Sequence, residues 1–262
     1  PKVKGAQWGL GAVGNAEWTG VPLQLLLERA GVKADALDVV FEGSDEGIPD
    51  DPPQPKSPIN YARSVSVEEA KQSEILLAYK MNGQALSQSH GFPLRVIVPG
   101  WYGMASVKWL KRIVVTNFPF DGYFQKVDYA FWEDRNGLKV RVPITEIEVK
   151  AQIAQPSPHE VVSRSTSYTI HGAAWAGLNK IAKVEISTDD GQTWSNAKLN
   201  VSDSAYSWSL WSYEWKTPEK AQKCVLRARA TDAKGTTQPL HRDPTHDSYR
   251  ISHVIPIPVQ VR

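Results

Sequence analysis

Charged and small residues surround a short apolar strand near the middle of the chain. Residues 90–112 read HGFPLRVIVPGWYGMASVKWLKR. The apolar run LRVIV predicts a β-strand, with His90 and Arg95 near its start and a loop bearing glycine, Ser106 and Lys108 after it. A loop that binds an anion needs backbone N–H groups turned toward one point, small residues that permit close approach, and a cation. The segment therefore predicts an anion site at the end of a strand.

The types of cation in this segment suit a phosphate group. Arg95 can grip two phosphate oxygens, Lys108 can act as a point charge, and His90 can add a ring N–H. The segment 90–112 contains no Walker A pattern and no GxGxxG, which argues against a site for nucleoside triphosphates or dinucleotides there. On residue types alone, a strand and loop whose charges are simply solvated remains an open alternative.

The elements that position this loop predict a mixed α/β region up to about Gly122. Residues 17–33 predict a helix with Pro22 in its first turn and Gly31 at its end. The remaining expected elements are a strand followed by an acidic loop in residues 37–47, a short helix in 65–72, and a strand with an Asn82–Gly83 turn in 74–86.

From about Pro143 the pattern changes to alternating apolar and polar residues. Short strands separated by turns, without helix signals, predict an antiparallel sandwich of immunoglobulin type. Asp189–Gly191 predicts a hairpin turn, and we expect Trp211, Tyr213 and Trp215 to share one face of a strand. The expected fold class is α+β, with a mixed α/β domain followed by an all-β immunoglobulin-like sandwich. The expected domains are residues 1–142 and 143–262.

Composition excludes several classes of protein. The 262 residues are 41% apolar and 22% charged, and the net charge of +2 comes without a basic block, so we expect no nucleic-acid partner. No apolar run approaches the ~18 residues that cross a bilayer, so we expect no membrane span. Cys224 is the one cysteine, which excludes internal disulfides and a thiolate cluster, and we predict that it packs as a small buried residue.

The segment 90–112 closely resembles the sulfite oxidase family of molybdenum-cofactor enzymes, whose motif reads HGFPxRxxVPGxxGxxxVKWL. Further stretches resemble the family in the same order. They are KGAQWGLGAVGNAEWTGVPLQLLLERAGV (4–32), FEGSDEG (41–47) and ILLAYKMNGQAL (75–86). The β-rich tail, with GAAWAGLNKIAKVEISTDDGQTW (172–194), resembles the family's immunoglobulin-like dimerisation domain. The resemblance covers nearly the whole chain.

The resemblance implies a set of residues that contact the molybdopterin cofactor, mostly around its phosphate. The implied cofactor residues are Asp45, His90, Arg95, Ser106, Val107 and Lys108. This agrees with the anion site expected from the residue types alone.

The resemblance also implies catalytic residues. Tyr129, in GYFQKVDYAFW (122–132), matches the family's active-site tyrosine. A phenol there can hydrogen-bond an oxyanion substrate and assist a coupled proton and electron transfer. A family arginine near the end of the β-domain corresponds to Arg242 or Arg250, and the pattern does not choose between them. We take Arg250 as the predicted residue.

The family holds its metal through a cysteine thiolate in a Cys-x-Gly-Asn-Arg-type segment that precedes the stretch matching residues 4–32. The chain begins at Pro1, after that segment, so we expect a mature processed form or a fragment that holds no molybdenum alone. Cys224 lies in the other expected domain, so no metal ligand is predicted in the chain.

The implied activity is oxidation of sulfite to sulfate, with electrons passed to a cytochrome-type acceptor by a homodimer. The GWYGMAS variant at 100–106 is similar to bacterial or archaeal members, which favours a periplasmic or otherwise extracytoplasmic location. One alternative is a non-enzymatic dimerising remnant without metal. Another is a relative that acts on a different oxyanion or on a sulfoxide. The intact set of Asp45, His90, Arg95, Lys108 and Tyr129 favours the enzyme.

Overall fold

The structure is a computed structural model that describes residues 9, 12–50, 52–200, 202, 204, 206–246 and 249–262. The chain divides into two compact units. The first unit is Ala16–Thr145. The second unit is Glu146–Arg262, together with Asn15 and those described residues that precede Asn15 in the chain. Both consist mostly of β-strands. Within the described ranges, no helix is long and apolar enough to cross a membrane.

The first unit contains small antiparallel sheets with two short helices. Its strands are β1 (Trp18–Pro22), β2 (Asp38–Gly47), β3 (Ile59–Ser66), β4 (Leu76–Met81), β5 (Gln84–Ala85), β6 (Arg95–Ile97), β7 (Leu110–Thr116), β8 (Ala130–Arg135) and β9 (Leu138–Pro143), and its helices are α1 (Leu23–Ala30) and α2 (Val67–Ala70). One sheet joins β1, β4 and β5, with β6 paired to β4. A second has the order β3-β2-β7, and β8 pairs with β9.

The predicted helix over residues 17–33 is wrong in its first part. Trp18–Pro22 forms β1, which pairs antiparallel with β4, so α1 begins only at Leu23. The helix ends as predicted at Gly31, whose φ of 74° is left-handed. The mixed α/β expectation therefore placed more helix in this unit than it has, because strand pairing took residues whose local pattern also suits a helix.

Other local predictions in this unit are confirmed. The helix expected in residues 65–72 is α2, and it begins with a capping box. The Ser66 hydroxyl accepts the Glu69 backbone N–H, and the Glu69 carboxylate accepts the Ser66 N–H. Asn82 and Gly83 form the turn between β4 and β5 with positive φ values of 50° and 75°.

The second unit consists of two antiparallel sheets around one apolar core, apart from one parallel pairing at an edge. Its strands are β10 (Lys150–Gln155), β11 (Val161–Val162), β12 (Ser167–Trp175), β13 (Ile181–Ser187), β14 (Ser195–Asn196), β15 (Lys198–Asn200), β16 (Ser209–Lys216), β17 (Gln222–Asp232) and β18 (Ile257–Val261). One sheet has the order β10-β12-β16-β15, and the other β11-β18-β17-β13-β14. As predicted, Trp211 and Trp215 lie in the core, and Tyr213 packs against it.

Gly172 lies where two strands and a large ring meet. A Cβ there would overlap the Gln152 carbonyl oxygen on the neighbouring strand and approach Trp211 Cζ2 to 2.7 Å. We expect Gly172→Ala to lower the free energy of unfolding by about 1–3 kcal/mol, since the backbone cannot move away without breaking the sheet. Denaturant unfolding measures this. Gly14→Ala is the matched control, because a Cβ there meets nothing within 4 Å. Equal stability of the two variants would contradict the packing described.

The predicted hairpin turn at Asp189–Gly191 is confirmed, with φ of 62° at Asp190 and 91° at Gly191. The Asp189 carboxylate accepts hydrogen bonds from the Ser187 hydroxyl and from the backbone N–H and hydroxyl of Thr193. The bonds from Thr193, followed by that from Ser187, lower the pKa of Asp189 from 3.8 to about 2. The ionised carboxylate therefore stabilises the turn.

This lowered pKa predicts a pH-dependent stability. A carboxylate whose pKa is lower in the folded state stabilises the fold above its unfolded pKa. That contribution is lost as pH falls from about 4 to about 2. We expect Asp189→Asn to be less stable than wild type at pH 7, with the difference disappearing near pH 2. Thermal unfolding across this range, with the exposed Glu219→Gln as control, measures it. A difference that stays constant with pH would contradict the assignment.

Candidate functional site

The predicted anion-binding segment forms a short strand between two tight turns. A one-turn 3-10 helix, Gln88–His90, precedes β6, and a second, Gly103–Ala105, follows it. The strand itself is shorter than the apolar run, because only Arg95–Ile97 pairs with β4. Both turns lie next to the cations that the sequence analysis selected.

Arg95 is held by backbone carbonyls on both sides of the loop. Its Nη1 donates to the His90 carbonyl at 3.1 Å and its Nη2 to the Ser106 carbonyl at 3.0 Å. The Trp18 ring lies 4.9 Å from the guanidinium carbon. Burial lowers the pKa of Arg95 to about 10, so the group stays cationic at neutral pH. Its Nε is buried and has no hydrogen-bond partner among the described residues.

Lys108 approaches the same turn from the other side. Its Nζ donates to the Ser89 carbonyl at 3.0 Å and lies 4.3 Å from the centroid of the Trp109 ring. The Trp109 indole N–H donates to the Gln88 carbonyl at 2.8 Å. The three successive carbonyls of the Gln88–His90 turn thus bind two cations and an indole. Arg95 and Lys108 thereby approach the same turn at the start of β6, and not at the carboxyl end of the strand.

Gly91 allows this close approach. Its φ is 98°, and a Cβ there would lie 3.0 Å from Lys108 Cβ and 3.2 Å from Arg95 Cβ. A side chain would therefore push the two cationic residues apart. Only glycine combines this backbone conformation with the space that the site requires.

Ser106 and His90 complete the polar surface around the two cations. The Ser106 hydroxyl oxygen accepts the Val98 backbone N–H at 3.1 Å, which leaves its hydrogen for another acceptor. His90 is exposed, and its Nδ1 lies 2.6 Å from the Ser87 hydroxyl. Arg95 therefore links the backbones of His90 and Ser106, and Lys108 binds the same turn through Ser89, while the anion-binding role of these residues stays a prediction.

Val107 and Asp45 take different positions. Val107 is buried in the core, its N–H donates to the Ala105 carbonyl, and its own carbonyl accepts the Val96 N–H. Asp45 is exposed, and its carboxylate interacts electrostatically with Lys108. Partial desolvation raises the pKa of Asp45, while its own backbone N–H and Lys108 act in the opposite direction.

Tyr129 lies elsewhere in the same unit, directly after a π-helix (Phe124–Asp128). Its ring is 6.4 Å from the Phe124 ring, at an interplanar angle of 27°, and 6.3 Å from the edge-on Tyr61 ring. Its carbonyl accepts the Ile144 N–H at 2.9 Å. The tyrosine is thus fixed through both ring and backbone. Its catalytic role stays a prediction.

The two candidate arginines of the second unit lie in one cluster. Arg250 has a φ of 62° and forms an ion pair with Glu148, with Nη2 at 2.7 Å from Oε1. Arg242 Nη2 donates to the His246 carbonyl at 2.9 Å, and His246 Nδ1 lies 2.9 Å from the Arg250 carbonyl. The choice between the two arginines stays a prediction. Cys224 is buried in the core of this unit, and burial raises the pKa of its thiol.

One residue near the site was missed by the sequence analysis. Arg63, on β3, is fully buried against the carbonyls around Tyr129. Its only signal was an arginine in the middle of a strand, next to Ala62 and two residues before Val65. In the family stretch predicted at 4–32, residues 4–8, 10 and 11 lie outside the described residues.

The donors of this site fit the phosphate end of a pterin cofactor. The buried Arg95 Nε–H points to a missing acceptor, since buried donors almost always have a partner. The neighbouring charge of Lys108 and the Ser106 hydroxyl are of the kinds that bind phosphate oxygens. Arg95, Lys108, Ser106 and Asp45 are therefore the residues that would hold the group.

Two family models identify the class of protein as the molybdopterin-dependent oxidoreductases. Residues 1–124 match the family model "Oxidoreductase molybdopterin binding domain", and residues 141–246 match "Mo-co oxidoreductase dimerisation domain". The chain belongs to the sulfite oxidase family of molybdopterin oxidoreductases.

Individual relatives agree with this assignment. The chain is 35% identical over 258 residues to mitochondrial sulfite oxidase of Drosophila melanogaster, covering 90% of this chain and 43% of the relative. It is 34% identical to the NADH nitrate reductase of Solanum lycopersicum, covering 90% of this chain and 28% of the relative. The chain therefore spans less than half the length of these curated relatives. Its structure is similar to that of the sulfane dehydrogenase SoxCD from Paracoccus pantotrophus, with TM-score 0.77 and 26% identity over 92% of this chain and 59% of that one.

Proposed function

We propose that this chain supplies the molybdopterin-binding and dimerisation parts of an enzyme that oxidises sulfite to sulfate and passes electrons to a cytochrome-type acceptor. The domain roles follow the expected bounds, 1–142 and 143–262. The single observation that carries the proposal is the convergence of Arg95 and Lys108 on the turn that precedes β6, with the buried Arg95 Nε lacking an acceptor among the described residues. The matches to sulfite oxidases support the substrate.

The proposed cofactor-binding residues retain the molybdopterin and fix its position. Arg95 and Lys108 bind the phosphate, and Ser106, Asp45 and His90 are the further polar residues proposed to contact the cofactor. Val107 contributes by packing beneath the loop, since its polar groups are already bonded within the chain. When bound, the cofactor supplies oxygen-atom exchange and electron uptake. The chain contributes a fixed position and a positive surrounding charge.

The catalytic residues act on the substrate. The Tyr129 phenol donates a hydrogen bond to an oxyanion oxygen and passes a proton when electrons leave. Arg250 attracts the substrate anion by its charge, and Glu148 holds its guanidinium in a defined orientation. Both roles follow from the family resemblance, and the geometry supports them by showing each side chain held by defined partners.

The proposed assembly is a twofold homodimer formed through an immunoglobulin-like second domain. The match to the dimerisation domain supports the dimer, and the two sheets around one core support the sandwich. The rings of Trp175 and Trp208 lie beside each other with centroids 5.9 Å apart and planes tilted by 31°, and both stay partly exposed. Such rings commonly anchor interfaces. Sedimentation at micromolar concentration tests this, and a single species of one protomer's mass would contradict it.

The proposed location is periplasmic or otherwise extracytoplasmic, supported by the resemblance of residues 100–106 to bacterial members. Fractionation of cells that express the native gene tests it. Recovery of the enzyme in the cytoplasmic fraction alone would refute this part of the proposal.

The activity is tested with purified holoenzyme. We expect sulfite-dependent reduction of cytochrome c, without nitrate reduction by a reduced viologen dye and without reduction of methionine sulfoxide. Turnover of nitrate or sulfoxide in place of sulfite would identify the alternative activity. A folded protein that carries no pterin would instead support the non-enzymatic remnant.

A further inference from the structure

Arg63 carries a buried charge that the proposed mechanism does not use. It lies in the middle of β3 with 0% of its surface exposed. Burial lowers the pKa of Arg63, while the surrounding Tyr61, Tyr129 and Asp128 act in the opposite direction. Burying a guanidinium is costly unless its N–H groups find acceptors. The identity of those acceptors shows what the charge stabilises.

All three acceptors are backbone carbonyls in or beside the segment that carries Tyr129. Nη1 donates to the Phe124 carbonyl at 2.6 Å and more weakly to the Tyr129 carbonyl at 3.4 Å. Nη2 donates to the Ile144 carbonyl at 2.7 Å, and the Ile144 N–H donates to the Tyr129 carbonyl at 2.9 Å. One side chain therefore holds the start of the π-helix, the residue after its end and the residue directly after β9.

Arg63 also faces the Tyr129 ring. Its guanidinium carbon lies 5.8 Å from the ring centroid, within the range of a cation–π interaction. The tyrosine is thus held at two points by one residue, through its carbonyl and through its ring.

Neighbouring residues of β3 contact both the π-helix and the turn that leads to Ser106. Gln125, inside the π-helix, is buried and exchanges hydrogen bonds with Ser64. The Tyr61 hydroxyl donates to the Met104 carbonyl at 2.6 Å, in the turn that leads to Ser106. The same strand therefore contacts the segment of Tyr129 and the anion-binding loop.

We propose that Arg63 is a positioning residue that fixes Tyr129 for the reaction. The inference rests on the proposed role of Tyr129. Without the guanidinium, Phe124, Tyr129 and Ile144 lose a common donor, and the phenol moves away from its reactive position. A misplacement of about 1 Å can lower a rate by about 100-fold.

Kinetics of the holoenzyme test this role. Arg63→Met keeps most of the side-chain volume and removes the charge and the donors, so thermal unfolding accompanies the kinetics to show that the variant is folded. We expect kcat to fall about 10- to 100-fold. We expect KM for sulfite to stay within about twofold, because ground-state binding is not the interaction removed. Arg63→Lys should recover part of kcat. Arg112→Met is the matched control, since Arg112 is an arginine on β7 with 61% of its side chain exposed.

A double-mutant cycle separates positioning from general loss of structure. In a Tyr129→Phe background, Arg63→Met should cause little further loss of kcat, because the hydroxyl that it places is already gone. Additive losses in the cycle would overturn the proposal. An unchanged kcat in the single variant would overturn it as well.

A measurement without turnover keeps this inference separable from the proposed activity. In protein labelled with fluorotyrosine, the Tyr129 resonance is identified by its loss in Tyr129→Phe. We expect fluorine NMR to show this resonance shifted or broadened in Arg63→Met and unchanged in Arg112→Met. An unaltered resonance would contradict the positioning role. Absence of sulfite turnover in wild type would instead count against the proposed function. If Arg63→Met does not fold, the same comparisons are made with Arg63→Lys, where an unaltered kcat and resonance overturn the inference.

Discussion

Replacing Tyr129 with phenylalanine lowers kcat of the holoenzyme about 100-fold or more, because a positioned general acid or base contributes about 10²- to 10⁴-fold. The ring still packs against Phe124 and Tyr61, since only the hydroxyl is lost. Fold and cofactor content therefore stay unchanged. Steady-state sulfite oxidation measured across pH, together with pterin and molybdenum content, tests this expectation.

Tyr123→Phe is the matched control for this prediction. Tyr123 lies at the start of the same π-helix, and its ring also contacts Phe124, at 5.2 Å between centroids. It has no proposed contact with substrate, so its loss of a hydroxyl should leave kcat nearly unchanged. Equal rates for Tyr129→Phe and wild type at every pH would show that Tyr129 is structural.

The second large effect concerns Arg95. Arg95→Ala should weaken retention of molybdopterin about 10- to 100-fold, since hydrogen bonds to charged groups contribute about 1.5–3 kcal/mol each. The purified variant should contain less pterin and less molybdenum than wild type. Arg95→Lys keeps the charge but loses the planar donor set, so we expect an intermediate content.

Arg112→Ala provides the control for this loss of an arginine. Arg112 pairs with Glu42 at 2.7 Å on the surface of β7, and such exposed pairs contribute little. Its pterin content should equal that of wild type. Because Arg95 also binds the carbonyls of His90 and Ser106, thermal unfolding of each variant must accompany the cofactor analysis. Full pterin occupancy in a folded Arg95→Ala variant would contradict the assignment.

The sequence predicted those parts of the fold and site that depend on neighbouring residues. The 65–72 helix and the Asn82–Gly83 turn follow from capping and turn chemistry within a few residues. The clustering of Arg95 and Lys108 follows similarly, because both flank one short strand and its loop. The roles of these residues, and those of Tyr129 and Arg250, stay predictions.

Features that depend on distant contacts were not visible in the sequence. β1 becomes a strand because Trp18–Pro22 pairs with residues about 60 positions later, which no local pattern records. The role of Arg63 depends on carbonyls 61 to 81 residues away. Carbonyls exist at every residue, so their arrangement around one guanidinium becomes visible only in the folded chain.

A crystal structure of the cofactor-loaded enzyme tests the central claim, that this chain binds the phosphate of molybdopterin at the start of β6. We expect phosphate density within hydrogen-bond distance of Arg95 Nε and Lys108 Nζ, about 2.7–3.2 Å from each nitrogen. The Ser106 hydroxyl should lie beside the same phosphate. Phosphate density at another place on the chain, with Arg95 and Lys108 still bound only to backbone carbonyls, would contradict the account.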